Sequence, residues 1–258
     1  MLKSKILRKG RAVYLNKRVE MMIGLGTIIN TIAIVLGGVA GGVFGKYISK
    51  DIQTTLGKAS GISVLFIGTA GAMEGMLQIE GDFITSGKSM VVVISIVLGA
   101  FIGELINIEG LFERFGEWLK FKTGNGEDSS FIEAFVTASL TVCIGAMAIV
   151  GSIQDGILGD YSILATKAVL DFIIIMVMTC SLGKGCIFSA IPVAVFEGGM
   201  TLLSRSIKPV MTEAALFNIS FIGSILIFCV GLNLVWGKKI RVANFLPAIV
   251  VAVVLAFL

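Results

Sequence analysis

GAMAIVGSIQDGILGDYSILATKAVLDF, residues 145–172, carries four ionisable residues and one glutamine between long apolar stretches. These polar residues are Gln154, Asp155, Asp160, Lys167 and Asp171. A charged group at the centre of a bilayer costs at least about 2.5–3.5 kcal/mol, so such groups are kept for function or paired for structural reasons. The charged side chains of this stretch are therefore the first candidates for a functional site.

The composition of the chain predicts a membrane protein. Hydrophobic residues make up 56% of the 258 residues and charged residues 15%, whereas soluble domains have about 45–50% and 25%. A single buried core cannot enclose this surplus of hydrophobic residues. The apolar runs are continuous and much longer than roughly 10 residues, which disfavours a β-barrel. We predict an all-α, polytopic transmembrane helical bundle.

Eight segments have about the length that a bilayer core requires, roughly 20 residues. They are 23–45, 60–79, 88–108, 131–151, 162–182, 185–204, 215–236 and a shorter one at 243–258. The link SIQDGILGDY (152–161) contains two glycines, and it either dips into the membrane or crosses out to water. We predict one transmembrane domain, residues 22–258, after a basic extension, residues 1–21.

The loops predict the orientation through their basic residues, which favour the cytoplasmic side. With the start of the first span outside, the inside loops carry ten lysines and arginines and the outside loops three. The extension alone favours the opposite orientation. We follow the loops and hypothesise that translation starts at Met21 or Met22. The net charge of +4 fits loops that face an anionic leaflet rather than nucleic acid.

A direct internal repeat is predicted from two matching segments, IAIVLG at 32–37 and ISIVLG at 94–99. Each begins a pair of spans, so the two copies are parallel. Internal repeats are common in secondary transporters, where the substrate site lies at the repeat interface. They also occur in membrane proteins that transport nothing.

The candidate site starts with Lys167 and Asp171, which are spaced i, i+4 and therefore share one helix face. An ion or proton relay and a structural ion pair are equally compatible with this spacing. Gln154 and Asp155 precede Gly156, where a loosened helix would expose backbone groups that bind ions. An ordinary turn is the alternative interpretation, since Asp and Gly are turn residues.

Three further polar residues lie inside predicted spans. Glu197 lies between Pro192, which frees a carbonyl one turn back, and two glycines. Glu74 is a carboxylate near the end of the second span, and Asn30 is an amide in the first. The predicted solute- or ion-binding set is Gln154, Asp155, Lys167, Asp171, Glu197, Asn30 and Glu74.

No catalytic pattern accompanies these residues. The chain has no histidine, no HExxH and no GxxxxGK[ST] loop. Its four cysteines fall in apolar runs without CxxC spacing, which is typical of packing thiols. We therefore predict no enzyme activity, no cofactor and no metal centre.

The sequence resembles one bacterial family in three motifs. These are MIGLGTIIN (22–30), GSIQDG (151–156) followed by Asp160, Lys167 and Asp171, and FSAIP (188–192). The family is the integral-membrane family domain of unknown function 554 (DUF554, YqgA/YdfK-like), in which glutamine is usual where this chain has Glu197. The resemblance implies a bacterial cytoplasmic (inner) membrane location, and it implies no substrate.

Two functions are predicted from different classes. The first is a secondary transporter or channel-like carrier of a small solute or ion. The second is a non-transporting membrane scaffold or sensor subunit whose buried charges only fix packing. The predicted partners are the lipid bilayer, a small solute or cation and further copies of the chain in a homo-oligomer.

Overall fold

The computed structural model describes residues 23–80 and 83–257, and it is helical almost throughout. The basic extension and the hypothesis about its start codon lie outside the described residues. The elements are α1 (Leu25–Phe44), α2 (Lys50–Met76), β1 (Leu77–Glu80), β2 (Phe83–Ser86), α3 (Ser89–Ile106), α4 (Ile108–Lys122), α5 (Phe131–Cys143), α6 (Ala146–Leu158), α7 (Ser162–Leu182), α8 (Ala190–Leu202), α9 (Ser204–Ile207), α10 (Glu213–Trp236) and α11 (Pro247–Val254). Short 3₁₀ turns precede α8 (Lys184–Ser189), follow α9 (Lys208–Val210) and flank α11 (Val242–Phe245 and Leu255–Phe257).

Six helical segments are long and apolar enough to cross a membrane. They are α1, α2, α3, α7, the segment Lys184–Leu202 and α10. Helices α5 and α6 have this length and apolar character only together; they are bent by 62° at a short break, the geometry of a broken span or a re-entrant loop. The predicted last span is a shorter apolar segment, Val242–Phe257. An all-α polytopic bundle is confirmed, with six long apolar helices in the described residues, the bent pair α5 and α6, and the shorter last segment.

A small hairpin corrects the predicted end of the second span. Strands β1 and β2 pair antiparallel, with Leu77 opposite Ser86. The helix therefore ends at Met76, and the segment up to residue 79 is extended instead of helical. The exposed side chains of Phe83 and Ile84 extend from β2 at this end of α2 and α3.

Helix α5 lies at the centre of the bundle. Most of its residues are buried, including Phe131 and Phe135, which are fully enclosed. These phenylalanines pack with α10 residues such as Leu226 and Val230 into one apolar core. Since eight of its thirteen residues are buried, α5 belongs to the interior of the bundle.

Glycines let α1 approach α7 closely. A Cβ atom on Gly37 or Gly41 would overlap the carbonyl oxygens of Phe172 and Met176. Residues spaced like these two, four apart on one face, allow backbones in a membrane to touch without a side chain between them. This contact fixes the position of α7, which carries Lys167 and Asp171.

The helix break lies at Gly145, not at the Gln154–Asp155–Gly156 segment that we predicted. Gly145 has φ +152°, and Ile144 before it is extended, whereas Gln154 and Asp155 lie within α6. Gly156 is a contact residue, because a Cβ there would overlap the carbonyl oxygen of Thr201. The link between spans four and five is thus helical up to Leu158.

Candidate functional site

Three helices bring four of the predicted site residues together. Lys167 of α7 donates to the carboxylate of Asp171, and its Nζ lies 3.7 Å from Glu197 Oε1 of α8. Asn30 of α1 donates from Nδ2 to the same Oε1 at 2.8 Å. All four side chains are buried. We call this group the buried cluster: Asn30, Lys167, Asp171 and Glu197.

The broken helix supplies a further contact to the buried cluster. The last hydrogen bond of α5 runs from Ile144 N–H to the Leu140 carbonyl, so the Val142 carbonyl lies beyond it. Lys167 Nζ donates to this carbonyl at 2.8 Å. A helix C-terminus attracts cations through its unpaired carbonyls. The break at Gly145 therefore creates an acceptor for the lysine deep inside the bundle.

The charges of the buried cluster do not balance. Lys167 contributes one ammonium, whereas Asp171 and Glu197 contribute two carboxylates when both are ionised. Removing such charges from water is expensive unless they are paired. One negative charge is left over, which favours the uptake of a proton or a monovalent cation.

Two oxygens of the buried cluster have no hydrogen-bond partner within the described part of the chain. They are Glu197 Oε2 and Asn30 Oδ1, each with almost no accessible surface. An unsatisfied buried polar atom costs about 1–3 kcal/mol, and more when it is charged. Such atoms in a native structure are typical of sites that hold a ligand, ion or water.

Asp155 binds the start of α1 rather than the cluster itself. Its carboxylate accepts from the backbone N–H of Gly24 at 3.2 Å and of Gly26 at 3.0 Å. The first N–H groups of a helix lack partners and carry partial positive charge. Asp155 therefore supplies the cap that Gly24, the residue before α1, cannot provide from its own side chain.

Two threonines that we did not predict lie between Asp155 and the cluster. Thr27 Oγ1 of α1 lies 3.4 Å from Thr201 Oγ1 of α8, one turn from the contact between Asn30 and Glu197. Threonine is common in membrane helices, so the type alone gave no signal. The only indication in the sequence is helical spacing, because Thr27 lies three residues before Asn30 and Thr201 four residues after Glu197. Buried polar contacts therefore follow α1 from its N-terminus to the cluster.

The remaining predicted site residues lie elsewhere. Glu74 is exposed near the end of α2, and Gln154 is half-buried on α6. Neither contacts the buried cluster through a hydrogen bond or ion pair in the described residues. Asp160, in the turn before α7, accepts from the hydroxyl and the N–H of Ser162. These bonds hold the pKa of its carboxyl below the ordinary value.

A cavity of about 510 Å³ borders the helix break on its other side. Its lining is almost wholly apolar and includes Cys143, Ile144 and Gly145 of the break, together with Phe196, the neighbour of Glu197. The segment 142–145 thus separates this cavity from the polar cluster.

A second ionic group lies just after the C-terminal end of α10. Lys238 pairs with Glu109 at 2.8 Å and Glu113 at 2.5 Å, both on α4. Partial burial acts to lower the pKa of Lys238, but hydrogen bonds and charges from the two glutamates outweigh it and raise that pKa. This group ties α4 to the loop after α10. Glu109 is buried in this group, whereas Lys238 and Glu113 are exposed.

Comparison with known proteins gives matches along nearly the whole chain. The model of the family described as "Protein of unknown function (DUF554)" matches residues 25–257. The "Uncharacterized membrane protein YdfK" of Bacillus subtilis (strain 168) is 29% identical over 232 residues, which cover 90% of this chain and 95% of the relative. The "Uncharacterized protein YqgA" of Escherichia coli (strain K12) is 27% identical over 236 residues, covering 90% and 96%. No solved structure matches the chain.

Proposed function

Because the chain belongs to DUF554, a membrane family without a described activity, we propose its function from its own site: it carries a small solute or ion across the bacterial cytoplasmic membrane. The buried cluster is the binding site in this proposal. The bilayer and the solute are its partners, and we propose no enzymatic step.

One observation carries the proposal: ionisable side chains from α7 and α8, with an amide from α1, converge deep in the bundle beside an interrupted helix. Helices that break in mid-membrane commonly form the binding sites of secondary transporters, because the break exposes backbone groups. Here the Val142 carbonyl at the break is already engaged by Lys167. The ion site and the helix interruption are therefore parts of one structure.

Two further features support a carrier over a sealed bundle. The polar contacts along α1 connect the cluster with the bundle end at which Asp155 lies. The apolar cavity on the other side of the break has room for the nonpolar part of a solute. Mostly apolar pockets with a few placed polar groups are typical of small-molecule sites.

The scaffold function also has a specific observation in its favour. Lys167 already contacts Asp171, Glu197 and the Val142 carbonyl, so the cluster neutralises part of its own charge. A structural network would need such contacts to lock α7 against α5 and α8. The two functions differ in whether a solute or ion crosses the membrane.

Electrical recording from proteoliposomes on a solid-supported membrane separates these functions. The probes are jumps in NaCl, KCl and pH, each with and without a mixture of amino acids and organic acids. A carrier gives a transient current with at least one probe, and Asp171→Asn, which removes a buried carboxylate of the cluster, abolishes it. The matched control is Asp160→Asn, which changes an exposed carboxylate in the turn before α7 and keeps the current.

The scaffold function is supported if wild-type liposomes show no current with any probe while Asp171→Asn lowers only thermal stability. An intermediate result, in which Asp171→Asn retains full current, would place the transport site elsewhere. We also propose that the chain assembles as a homo-oligomer, which cross-linking in native membranes tests directly.

A further inference from the structure

Four oxygen-bearing side chains face each other where α1 crosses α8. Thr27 and Asn30 are spaced i, i+3 on α1, and Glu197 and Thr201 are spaced i, i+4 on α8. Residues with these spacings lie on one face of their helix. Thr27 meets Thr201 and Asn30 meets Glu197. The two pairs thus form two adjacent layers of one polar contact.

The layers differ in how well their oxygens are satisfied. In the first, the Asn30 amide donates to Glu197 Oε1, but Asn30 Oδ1 and Glu197 Oε2 have no hydrogen-bond partner among residues 23–80 and 83–257. Asn30 is 0% exposed and Glu197 1%. In the second, the hydroxyls are 3.4 Å apart, which is longer than the roughly 2.5–3.0 Å of a hydroxyl hydrogen bond. All the unsatisfied atoms in this contact are oxygens.

From this arrangement we propose that Thr27, Asn30, Glu197 and Thr201 form a binding site for a sodium ion. Carboxylate, amide and hydroxyl oxygens are the donors that hard cations take. The excess of one carboxylate in the buried cluster matches a single positive charge. A divalent ion would leave the site positively charged in a medium that penalises charge.

The spacing of the oxygens fits an ion of the size of Na⁺. Sodium has nearly the radius of Ca²⁺, whose oxygen ligands lie at about 2.3–2.6 Å, so neighbouring ligands are roughly 3.4 Å apart in octahedral geometry. The hydroxyls of Thr27 and Thr201 have this separation. Larger alkali ions require a wider ligand shell. We therefore expect K⁺ to bind more weakly than Na⁺.

Lys167 leaves the sodium site accessible to a cation. Its ammonium approaches Glu197 Oε1 at 3.7 Å and binds Asp171 and the Val142 carbonyl. The other oxygen of Glu197, Oε2, has no partner in the described part of the chain. One carboxylate can therefore serve the lysine through Oε1 and the ion through Oε2. Occupation of Oε2 would weaken the attraction between Glu197 and Lys167.

The role of sodium as the coupling ion rests on the proposed carrier function, whereas the binding of sodium does not. Binding is tested on purified protein in detergent by thermal unfolding in NaCl, KCl or choline chloride at one ionic strength. We expect Na⁺ to raise Tm by roughly 3–6 °C over choline when its concentration is about ten times Kd. K⁺ should give a clearly smaller rise.

The variants Thr27→Val and Thr201→Val remove one hydroxyl each with little change of shape. Each should weaken Na⁺ binding at least about tenfold and reduce the sodium-dependent rise in Tm. The matched control is Thr179→Val on α7. Thr179 and Thr201 are each 4% exposed, and the Thr179 hydroxyl has no hydrogen-bond partner among the residues that the structure describes. It should keep the sodium response of the wild type.

The comparison of ions on the wild-type protein does not depend on any variant that folds poorly. Equal Tm values in NaCl and choline chloride, or an equal loss of response in Thr179→Val, would overturn the sodium site. Proteoliposome currents then separate the two proposals. Sodium binding without current supports the site and contradicts the carrier, whereas sodium-independent current supports the carrier and contradicts sodium coupling.

Discussion

Lys167 holds the buried charges of the bundle together. It is 6% exposed and contacts Asp171, Glu197 and the Val142 carbonyl, so its removal affects three helices. Breaking a buried ion pair by removing one partner costs about 3–5 kcal/mol, because the other charge stays buried without compensation. We expect Lys167→Met to lower the free energy of unfolding by about this amount, as measured by chemical unfolding in mixed micelles.

A double variant separates the effect of charge from that of packing. Lys167→Met with Asp171→Leu removes one charge of each sign, and we expect it to recover more than half of the loss. Lys184→Met is the control, because Lys184 is exposed and exposed substitutions change stability by less than about 0.5 kcal/mol. A loss below about 1 kcal/mol for Lys167→Met alone would contradict a tightly paired cluster.

Asp155 stabilises the first turn of α1 from another helix. Asp155→Asn keeps the size of the side chain but removes the charge that faces the N–H groups of Gly24 and Gly26. Loss of a helix cap costs about 0.5–2 kcal/mol. We expect faster hydrogen exchange in residues 25–29, measured by mass spectrometry. Asp160→Asn changes an exposed carboxylate in the turn before α7, and α1 should exchange as in the wild type; equal exchange in both variants would argue against the cap.

Single residues also show where sequence reasoning was sufficient and where it was not. The contact between Lys167 and Asp171 lies within one helix, so its spacing predicts it. The approach of Asn30 to Glu197 depends on how α1 crosses α8, and no local pattern encodes this crossing. Thr27 and Thr201 gain their importance only from that crossing.

At the scale of elements, the contact between α1 and α7 depends on which glycines face the partner. A Cβ atom added to Gly41 would overlap the Met176 carbonyl oxygen and would lie 2.9 Å from Thr179 Cβ. The nearest atom to a Cβ added to Gly42 is 4.0 Å away. Gly41→Ala should cost about 1–3 kcal/mol through overpacking. Gly42→Ala should be neutral or slightly stabilising, since alanine favours helices.

Thermal unfolding of both variants under one condition measures this difference. Since α7 carries Lys167 and Asp171, Gly41→Ala should also weaken the Na⁺ response described above. Equal stability of the two alanine variants would show that α1 and α7 are not held by direct backbone contact. The neighbouring positions make the comparison insensitive to general effects of losing glycine.

Helix breaks illustrate why glycine patterns alone mislead. Gly145 and Gly156 both lie within sequence that otherwise favours a helix, and a glycine at either position weakens that helix. Only Gly145 adopts a positive φ, while Gly156 allows α6 to touch Thr201 and Ser204. Which role a glycine takes is decided by the helix packed against it. The sequence therefore predicts a helix break near this site, but it does not predict the residue at which the helix breaks.

At the scale of the whole molecule, contacts between the loops place them at two opposite ends of the helical bundle. Ser130 lies near Gly183, and Lys238 pairs with Glu113, so these loops share one end. The opposite end brings Lys88 to Asn218 and Asp155 to Gly24. This alternation agrees with the order of spans that composition predicts. Composition and run length sufficed for the fold class, whereas the hairpin of β1 and β2 and the bend between α5 and α6 depend on local packing.

The orientation of the bundle is a separate prediction, because it rests on charge rather than on contacts. The end with the loops after α1, α4, α7 and α10 carries most of the lysines and arginines, and such loops stay in the cytoplasm. We expect Ser206→Cys, in the exposed segment after α8, to react with a membrane-impermeant maleimide in intact cells. Ser129→Cys, in the exposed loop between α4 and α5, should react only after permeabilisation.

Both changes replace an exposed serine by a residue of similar size, so differences in labelling reflect the side of the membrane. The unaltered chain is the background control, since its four free cysteines are buried or half-buried. The reverse labelling pattern would mean that the basic loops face outward. In that case the contacts from Asp155 along α1 would connect the buried cluster with the cytoplasm, and a sodium ion would reach Glu197 from inside the cell.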